Sequence, residues 1–362
     1  MTTYLLAGGG TAGHVNPLLA VADRIRDREP DATILVLGTA EGLEARLVPQ
    51  RGYELLTIAR LPFPRKLNRA ALRFPAGFRG AVKQTAHYLG ERSVDVVVGF
   101  GGYASAPAYI AATRSKLPLV IHEANAKPGM ANRVGALFTR HVGVAFSATR
   151  LRGGRVVGMP LRREIEHLDR AASRAEALEF FGLDADKPVL LVTGGSLGAR
   201  KLNATVSQAI AVILGSGWQV LHIAGNRSEV EDPHLPGYTL MQYCDRMDLA
   251  IAVADLAIAR SGAATVSELS AVGIPAVYVP YPVGNGEQRF NAKDAVAAGG
   301  ARLVADAEFT PAWISRELLP LLRDRAAIAE MAAATIRIGS RDGADQMVDL
   351  ISTASSLTPA RD

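Results

Sequence analysis

The sequence predicts an α/β protein of two doubly wound domains, each a parallel sheet with helices on both faces, facing one another across a cleft. Three observations carry that expectation. Short β-rich apolar runs alternate with helical stretches along the whole chain, and strands that are apolar throughout belong to parallel sheets covered on both sides. Each half opens alike, with a strand, a glycine loop and a helix, the loops starting at Gly8 and Gly194. The chain has 362 residues, 49% of them hydrophobic, which is more than one core usually organises.

The expected strands of the first half are TYLLAG, ATILVLG, VDVVVGF, LPLVIHE and HVGVAF. Those of the second are PVLLVTG, WQVLHIAG, LAIAR and PAVYVPY. The halves join near GGRVVGMPLRREI (153–165), and ligands of such sheets bind at the strands' carboxyl ends. SRDGADQMVDLISTAS (340–355) reads as a further helix.

The first glycine loop, LLAGGGTAGHVNP (5–17), sets Gly8, Gly10 and Gly13 in the G-x-G-x-x-G pattern of a dinucleotide site. A nicotinamide site also needs an acid at the end of the second strand, to hold the ribose. Here that strand ends in Gly38 and Thr39, with Glu41 lying beyond, so the fingerprint fails. What remains is a close-approach loop whose amides and helix N-terminus offer partial positive charge to an anion, with His14 at the mouth. A histidine there is either a solvated or capping residue or a catalytic base, and its neighbours weigh towards the base.

GFGGYASAP (99–107) and VTGGSLGAR (192–200) repeat the arrangement. In the latter, Gly194, Gly195 and Gly198 let backbone N–H groups approach a phosphate, and Ser196 adds a hydroxyl donor. It lacks the Gly-Lys-Ser/Thr of a Walker loop, so ATP hydrolysis is not expected. Three such loops at strand ends suit an extended, oxygen-rich ligand. In ARSGAATVSELSAVGIP (259–275) a strand turns at Ser261-Gly262 into a helix that projects Glu268 from its second turn. That carboxylate either accepts both hydroxyls of a ribose or is an ordinary exposed glutamate. YPVGNGEQRFNA (281–292) is a loop ending in polar residues suited to sugar hydroxyls.

The net charge of +5 conceals a division. Residues 1–158 hold 21 Lys and Arg against 10 Asp and Glu, whereas the remainder holds 19 against 25. RLPFPRKLNRAALRFPAGFRGAVKQ (60–84) alone carries seven basic residues and no acidic one, with Leu and Phe between them. It reads either as a solvated helix face plus a loop or as a contact with an anionic bilayer. Leu67, Ala71, Phe74 and Phe78 would form the apolar stripe, broken by Pro64 and Pro75 into a kinked patch. No nucleic-acid module is present to favour that third partner. The single cysteine, Cys244, allows no internal disulfide, so a cytosolic address is the default. The N-terminus reads as a strand, not a signal peptide, and no run of 18 apolar residues would span a bilayer.

The combination GGGTAGHVNP, GFGGYASAP, HEANAKPGMAN, GMPLR, GGSLGAR, ARSGAATVSE and GEQRFNA, in order from residue 5 to about 292, resembles the MurG family of glycosyltransferases. The resemblance implies the GT-B fold of two Rossmann-like domains, an acceptor and membrane-associating domain at 1–160 and a donor domain at 161–339. A C-terminal helix of about 340–356 would pack back on the first. It implies inverting transfer of GlcNAc from UDP-GlcNAc to the lipid-linked muramyl-pentapeptide pyrophosphate intermediate of peptidoglycan synthesis (lipid I to lipid II), with no cofactor and no catalytic metal. The implied place is the cytoplasmic face of the plasma membrane, peripherally, and the implied partners also include the anionic membrane surface and other cell-wall synthesis proteins, but no nucleic acid.

Carried over residue by residue, the resemblance has Gly195, Ser196 and their loop amides hold the donor diphosphate, with Arg162 adding positive charge and Glu268 holding the ribose. Uracil would sit against the backbone near Cys244, with Met247 close by, and Gln288 would face the GlcNAc hydroxyls. Thr11, Gly13, His14, Gly102, Tyr103 and Asn125 would meet the acceptor pyrophosphate and muramyl sugar. Phe63, Leu67, Arg69, Arg73, Phe74 and Phe78 fall in the membrane-facing region. Two positions depart from the family: Ala124 stands where Gln is frequent, and Glu287 precedes Gln288 where a second Gln or a His can occur.

An acceptor hydroxyl must lose a proton as UDP leaves, and a histidine with a pKa near ~6.5 suits that task, worth about 10²- to 10⁴-fold. His14 is the expected general base, with Glu123 in reserve. Loop amides and Arg162 would stabilise the departing charge. Asp184-Ala185-Asp186 has the spacing of metal-dependent glycosyltransferases but precedes its strand, away from the cleft, and reads as a polar loop. A related glycolipid synthase, a UDP-GlcNAc epimerase and a non-catalytic UDP-sugar-binding protein stay open as alternatives.

Overall fold

The computed structural model describes residues 1–64, 69–195, 198–283 and 286–356, with the backbone alone at 69–71. Leu67 and Ser196 lie outside the described residues, as does the side chain of Arg69. The chain divides into two compact units, 1–162 with 341–362, and 163–340.

The first unit runs β1 (Thr3–Ala7), α1 (Ala12–Arg28), β2 (Thr33–Gly38), α2 (Glu44–Gln50), β3 (Glu54–Thr57), α3 (Arg69–Glu91), β4 (Val96–Gly99), α4 (Ser105–Arg114), β5 (Leu119–Glu123), α5 (Met130–Gly135), β6 (His141–Val144) and β7 (Gly154–Val156). Its seven strands lie in the order β3-β2-β1-β4-β5-β6-β7, all parallel. The central strands are buried along their whole length, as a sheet covered on both faces requires. On one face, α3, α4 and the start of α5 close a core around Leu5, Val97, Tyr109 and Ile121. On the other, α1 packs over Leu6, Val36 and Val98.

The second unit contains α6 (Arg163–Glu166), α7 (Arg170–Phe181), β8 (Val189–Thr193), α8 (Arg200–Leu214), β9 (Gln219–Ile223), β10 (Tyr238–Met241), α9 (Met247–Val253), β11 (Leu256–Ala259), α10 (Ala263–Ala271), β12 (Ala276–Tyr278), α11 (Glu287–Asn291), α12 (Lys293–Ala297) and β13 (Ala301–Leu303). It closes with α13 (Pro311–Trp313), a π-turn at Ile314–Leu318, α14 (Leu319–Arg323) and α15 (Arg325–Ile338). The strand order β10-β9-β8-β11-β12-β13 reverses direction between β8 and β11, which makes the loops after those two strands the natural ligand crevice.

The last helix, α16 (Gly343–Ser356), returns to the first unit and lies along α1 and behind β4, β5 and β6. Met347, Val348, Leu350, Ile351 and Ala354 enter the α1 core, which supplies the driving force. Arg24 and Arg28 pair with Asp345, and Arg28 also with Asp349, fixing the register of the two helices.

One expectation is corrected. Pro75 does not break the basic segment; α3 runs through it from Arg69 to Glu91. Pro75 is exposed, so water can meet the carbonyl that its missing N–H leaves unbonded.

Candidate active site

In the first unit two glycine loops lock together in front of His14. Gly102 has φ +86°, and a Cβ placed there would lie 2.4 Å from the Gly9 carbonyl oxygen, so backbone rests directly on backbone. Ser105, buried at the start of α4, donates to the carbonyls of Ala7 (2.9 Å) and Gly101 (2.7 Å) and ties the second loop to β1. Tyr103 lies beside Gly10, with the Arg60 guanidinium 5.3 Å from the centre of its ring.

The third residue of α1 is His14. Its Nδ1 lies 3.1 Å from the Gly9 carbonyl oxygen and 3.3 Å from Thr11 Oγ1. A carbonyl can only accept, so Nδ1 carries the hydrogen and Nε2 keeps its lone pair. That Nε2 edge faces Gly101, where an added Cβ would stand 3.2 Å away, and it has no hydrogen-bond partner among the described residues. Burial lowers the imidazole pKa, while Glu123, the Gly9 carbonyl and Glu44 work in the opposite direction. The net effect favours the neutral ring, the form that accepts a proton.

Two buried carboxylates hold these loops. Glu44, absent from the sequence expectations, accepts from the amides of Gly10 (2.8 Å) and Thr39 (2.9 Å) and from Thr39 Oγ1 (2.9 Å). Glu123 accepts from the amides of Asn125 (2.8 Å) and Gly129 (2.9 Å) and from Asn132 Nδ2 (2.9 Å). Both oxygens of Glu123 are thus engaged in holding the loop. Asn132 also donates to the His122 carbonyl (3.0 Å) and accepts from Tyr109 (2.6 Å), a second buried brace that the sequence reading passed over. Only part of the first loop is open to an anion. The amides of Gly8 and Gly10 are used internally, whereas among the described residues no acceptor meets those of Thr11, Ala12 and Gly13.

In the second unit, the described residues of the loop after β8 bond to one another. The Gly195 amide donates to Thr193 Oγ1 (3.3 Å) and the Gly198 amide to the Gly195 carbonyl (2.9 Å). Behind it lies a neutral buried network: Asn203 Nδ2 donates to the Ala224 carbonyl (2.8 Å), its Oδ1 meets His222 Nε2 (3.2 Å), and His222 Nδ1 meets the Tyr238 hydroxyl (2.8 Å). Burial pushes the His222 pKa down to about 4, so the network stays uncharged at neutral pH.

Glu268 is buried on α10, not an ordinary exposed glutamate. α11 packs on that helix, with Nδ2 of its last residue, Asn291, donating to the Ser261 carbonyl (3.2 Å). Gln288, on α11, accepts from the Tyr281 amide (2.9 Å). Cys244 is buried in the loop after β10, and Met247 begins α9. Arg162, expected in the donor domain, is the last residue of the first unit before the chain crosses to α6. The cause is local: Met159 and Leu161 are buried, and Gly343 of α16 rests on the Met159 carbonyl.

Arg260, which the sequence reading left out, is buried at the end of β11. It donates to the carbonyls of Val279 (2.9 Å) and Pro280 (3.1 Å), pairs with Asp306 at 2.6 Å, and lines a cavity of about 1060 Å³ with Arg200, Lys201 and Arg227. Asp184 accepts from the Asp186 amide (3.0 Å) and pairs with Lys187 on an exposed turn before β8. Among the described residues no group of three or more His, Cys, Asp or Glu could hold a metal ion.

Phe74 and Phe78 are stacked (5.8 Å between centroids, 24°), with the Phe63 ring edge-on at 5.4 Å. Both are half-buried, because they share the α3 face that carries Ala81, Val82 and Leu89 into the core. The solvent side presents Leu72 and Arg73 instead.

Comparison with known proteins agrees with this architecture. Residues 4–144 match the glycosyltransferase family 28 N-terminal domain and residues 189–347 the C-terminal domain of the same family. A Leifsonia xyli protein named UDP-N-acetylglucosamine–N-acetylmuramyl-(pentapeptide) pyrophosphoryl-undecaprenol N-acetylglucosamine transferase is 62% identical over 98% of this chain and 99% of its own. The chain belongs to the MurG family. The crystal structure of Acinetobacter baumannii MurG superposes with a TM-score of 0.79 at 28% identity, covering 98% of this chain and 100% of the other. UDP-GlcNAc 2-epimerase from Neisseria meningitidis, bound to UDP-GlcNAc, reaches 0.67 at 13% identity over 98% of this chain and 100% of its own, which reflects a shared fold alone. MurG family membership closes the nicotinamide reading.

Proposed function

We propose that this enzyme transfers GlcNAc from UDP-GlcNAc to the C4 hydroxyl of the muramyl sugar of undecaprenyl-pyrophosphoryl-MurNAc-pentapeptide, inverting the anomeric centre. The first unit takes the acceptor and the second the donor. The observation that carries the chemistry is His14, with Nδ1–H committed to the Gly9 carbonyl and a neutral, unbonded Nε2. The acceptor oxygen attacks the anomeric carbon as its proton passes to Nε2, and the bond from that carbon to the UDP oxygen breaks with its electron pair leaving on UDP. Thr11, Gly13, Gly102, Tyr103 and Asn125 surround the acceptor; the amides at the start of α1 meet its pyrophosphate. Gly195, Ser196 and Arg162 receive the charge that develops on the departing diphosphate, Glu268 holds the ribose, Cys244 and Met247 flank uracil, and Gln288 orients GlcNAc.

Among the described residues no helix is long and apolar enough to cross a membrane. The basic face of α3 and the Phe63 turn, with Arg69 and Arg73, support peripheral attachment to the anionic cytoplasmic surface on which the lipid acceptor resides. The test is transfer of radiolabel from UDP-GlcNAc to the lipid-linked muramyl acceptor in EDTA. Labelled disaccharide lipid is expected; release of free sugar or an epimer without lipid product would overturn the reading.

A further inference from the structure

The helix that carries Asn132, the brace of Glu123, has an outer face that remains exposed among the described residues. Met130, Val134, Leu137 and Phe138 are 59%, 39%, 61% and 45% exposed. They follow an i, i+4, i+7, i+8 pattern, and the amides of Leu137 and Phe138 bond back to Val134 and Gly135, so the turn prolongs α5 and the four side chains form one stripe. The opposite side is fixed: Asn132 and Ala136 are buried, and Asn132 holds Glu123. This helix is thus packed on its inner side and apolar on its outer one, and a contiguous exposed apolar stripe marks an interaction surface.

Charge identifies the occupant. Between Glu123 and Glu164 the chain contains eight Lys and Arg and no acidic residue. Arg133 and Arg140 flank the stripe as exposed side chains, and a groove of about 450 Å³ opens beside Phe138 and Arg140. Apolar side chains ringed by cations match a bilayer with anionic headgroups. We propose that the outer face of α5 is a second membrane-docking surface, separate from α3. The proposal rests on the reading that the acceptor is lipid-linked. A helix is about 10–12 Å across with its side chains, so a bilayer against the outer stripe lies roughly that far from the Glu123 brace on the inner side. The lipid pyrophosphate would then reach the glycine loops without leaving the headgroup layer.

The experiment is co-sedimentation with vesicles of phosphatidylglycerol and phosphatidylcholine, alongside vesicles of phosphatidylcholine alone. The wild type is expected to partition onto the anionic vesicles and poorly onto the neutral ones. Leu137→Glu/Phe138→Glu should lower that partitioning by about tenfold or more, with thermal unfolding and UDP-GlcNAc binding unchanged. Arg133→Gln/Arg140→Gln, which leaves the apolar face intact, should cost up to roughly fivefold per cation and lose its effect in high salt. Wild-type partitioning by both double variants, with loss in Leu72→Glu, would leave α3 as the membrane contact and overturn the proposal while sparing the acceptor reading. A wild type that ignores anionic vesicles would overturn both. A mass in solution that falls from dimer to monomer on Leu137→Glu/Phe138→Glu would show that a second copy covers the stripe, which also overturns it.

Discussion

The two units share a plan of strand, glycine loop and helix, yet they hold their loops by opposite means. In the first, buried carboxylates do the bracing: Glu44 and Glu123 each take three donors and surround His14 with negative charge. In the second, a neutral Asn203–His222–Tyr238 network supports the loop, and a part-buried ion pair, Arg260 with Asp306, brings a cation to the carboxyl end of the sheet. On the proposed division of acceptor and donor between the units, the difference follows from what each site must receive. Carboxylates near an imidazole counter the loss of basicity caused by burial, which is what the proposed role of His14 as proton acceptor requires. The same carboxylates beside a leaving diphosphate would repel the charge that develops there, and among the described residues that loop has none bonded to it.

His14→Ala should reduce turnover by about 10²- to 10⁴-fold while UDP-GlcNAc binding, followed calorimetrically, is retained. Equal loss of binding would mean that the two units do not divide the chemistry as described. The glycine loops offer the next test. Gly102→Ala forces a Cβ onto the Gly9 backbone, whereas Gly195, with the same φ of +86°, has nothing within 4 Å of that position. Denaturant unfolding should register on the order of 3 kcal/mol or more for Gly102→Ala and about 1 kcal/mol for Gly195→Ala. Comparable costs would show that the first pair of loops is not interlocked.

Glu44→Gln sharpens the contrast with a smaller effect. The amide nitrogen it introduces faces donors, so about 1–3 kcal/mol of loop support should be lost, appearing as a roughly 5- to 150-fold fall in kcat/KM for the acceptor with donor affinity unchanged. Its pH profile carries a second signature. Glu44 favours the imidazolium, so its removal should move the acid limb of the kcat/KM profile to lower pH, from a wild-type limb already below the usual histidine value. An unmoved limb would mean that His14 is not the group being titrated.

Every strand legible as an apolar run is interior, and the four that escaped, β3, β7, β10 and β13, are the four sheet edges. An edge strand is covered on fewer sides, so Glu54, Arg155 and Arg302 are tolerated there and the continuous apolar signal disappears. The glycine loops, His14 and Glu268 were likewise legible, because close backbone approach and helix starts have local signatures. Glu44 had none. It sits six residues past β2, in a helix of ordinary composition, and its part in holding the first glycine loop exists only because Gly10, 34 residues away, comes within reach.

The order of strands and helices, the glycine turns and the place of His14 at a helix start were thus determined by the sequence itself, since each depends on residues within a few positions of one another. Tertiary structure alone decided which carboxylates are buried against which amides, which nitrogen of His14 keeps its lone pair, and which faces of α3 and α5 turn outward. The ties of Glu44 to Gly10 and of Ser105 to Ala7 join residues 34 and 98 positions apart, and the short-range ones, His14 to Gly9 and Glu123 to Asn125, depend on loop shapes that those ties set; a buried charge acquires its meaning only from the donors that packing brings to it.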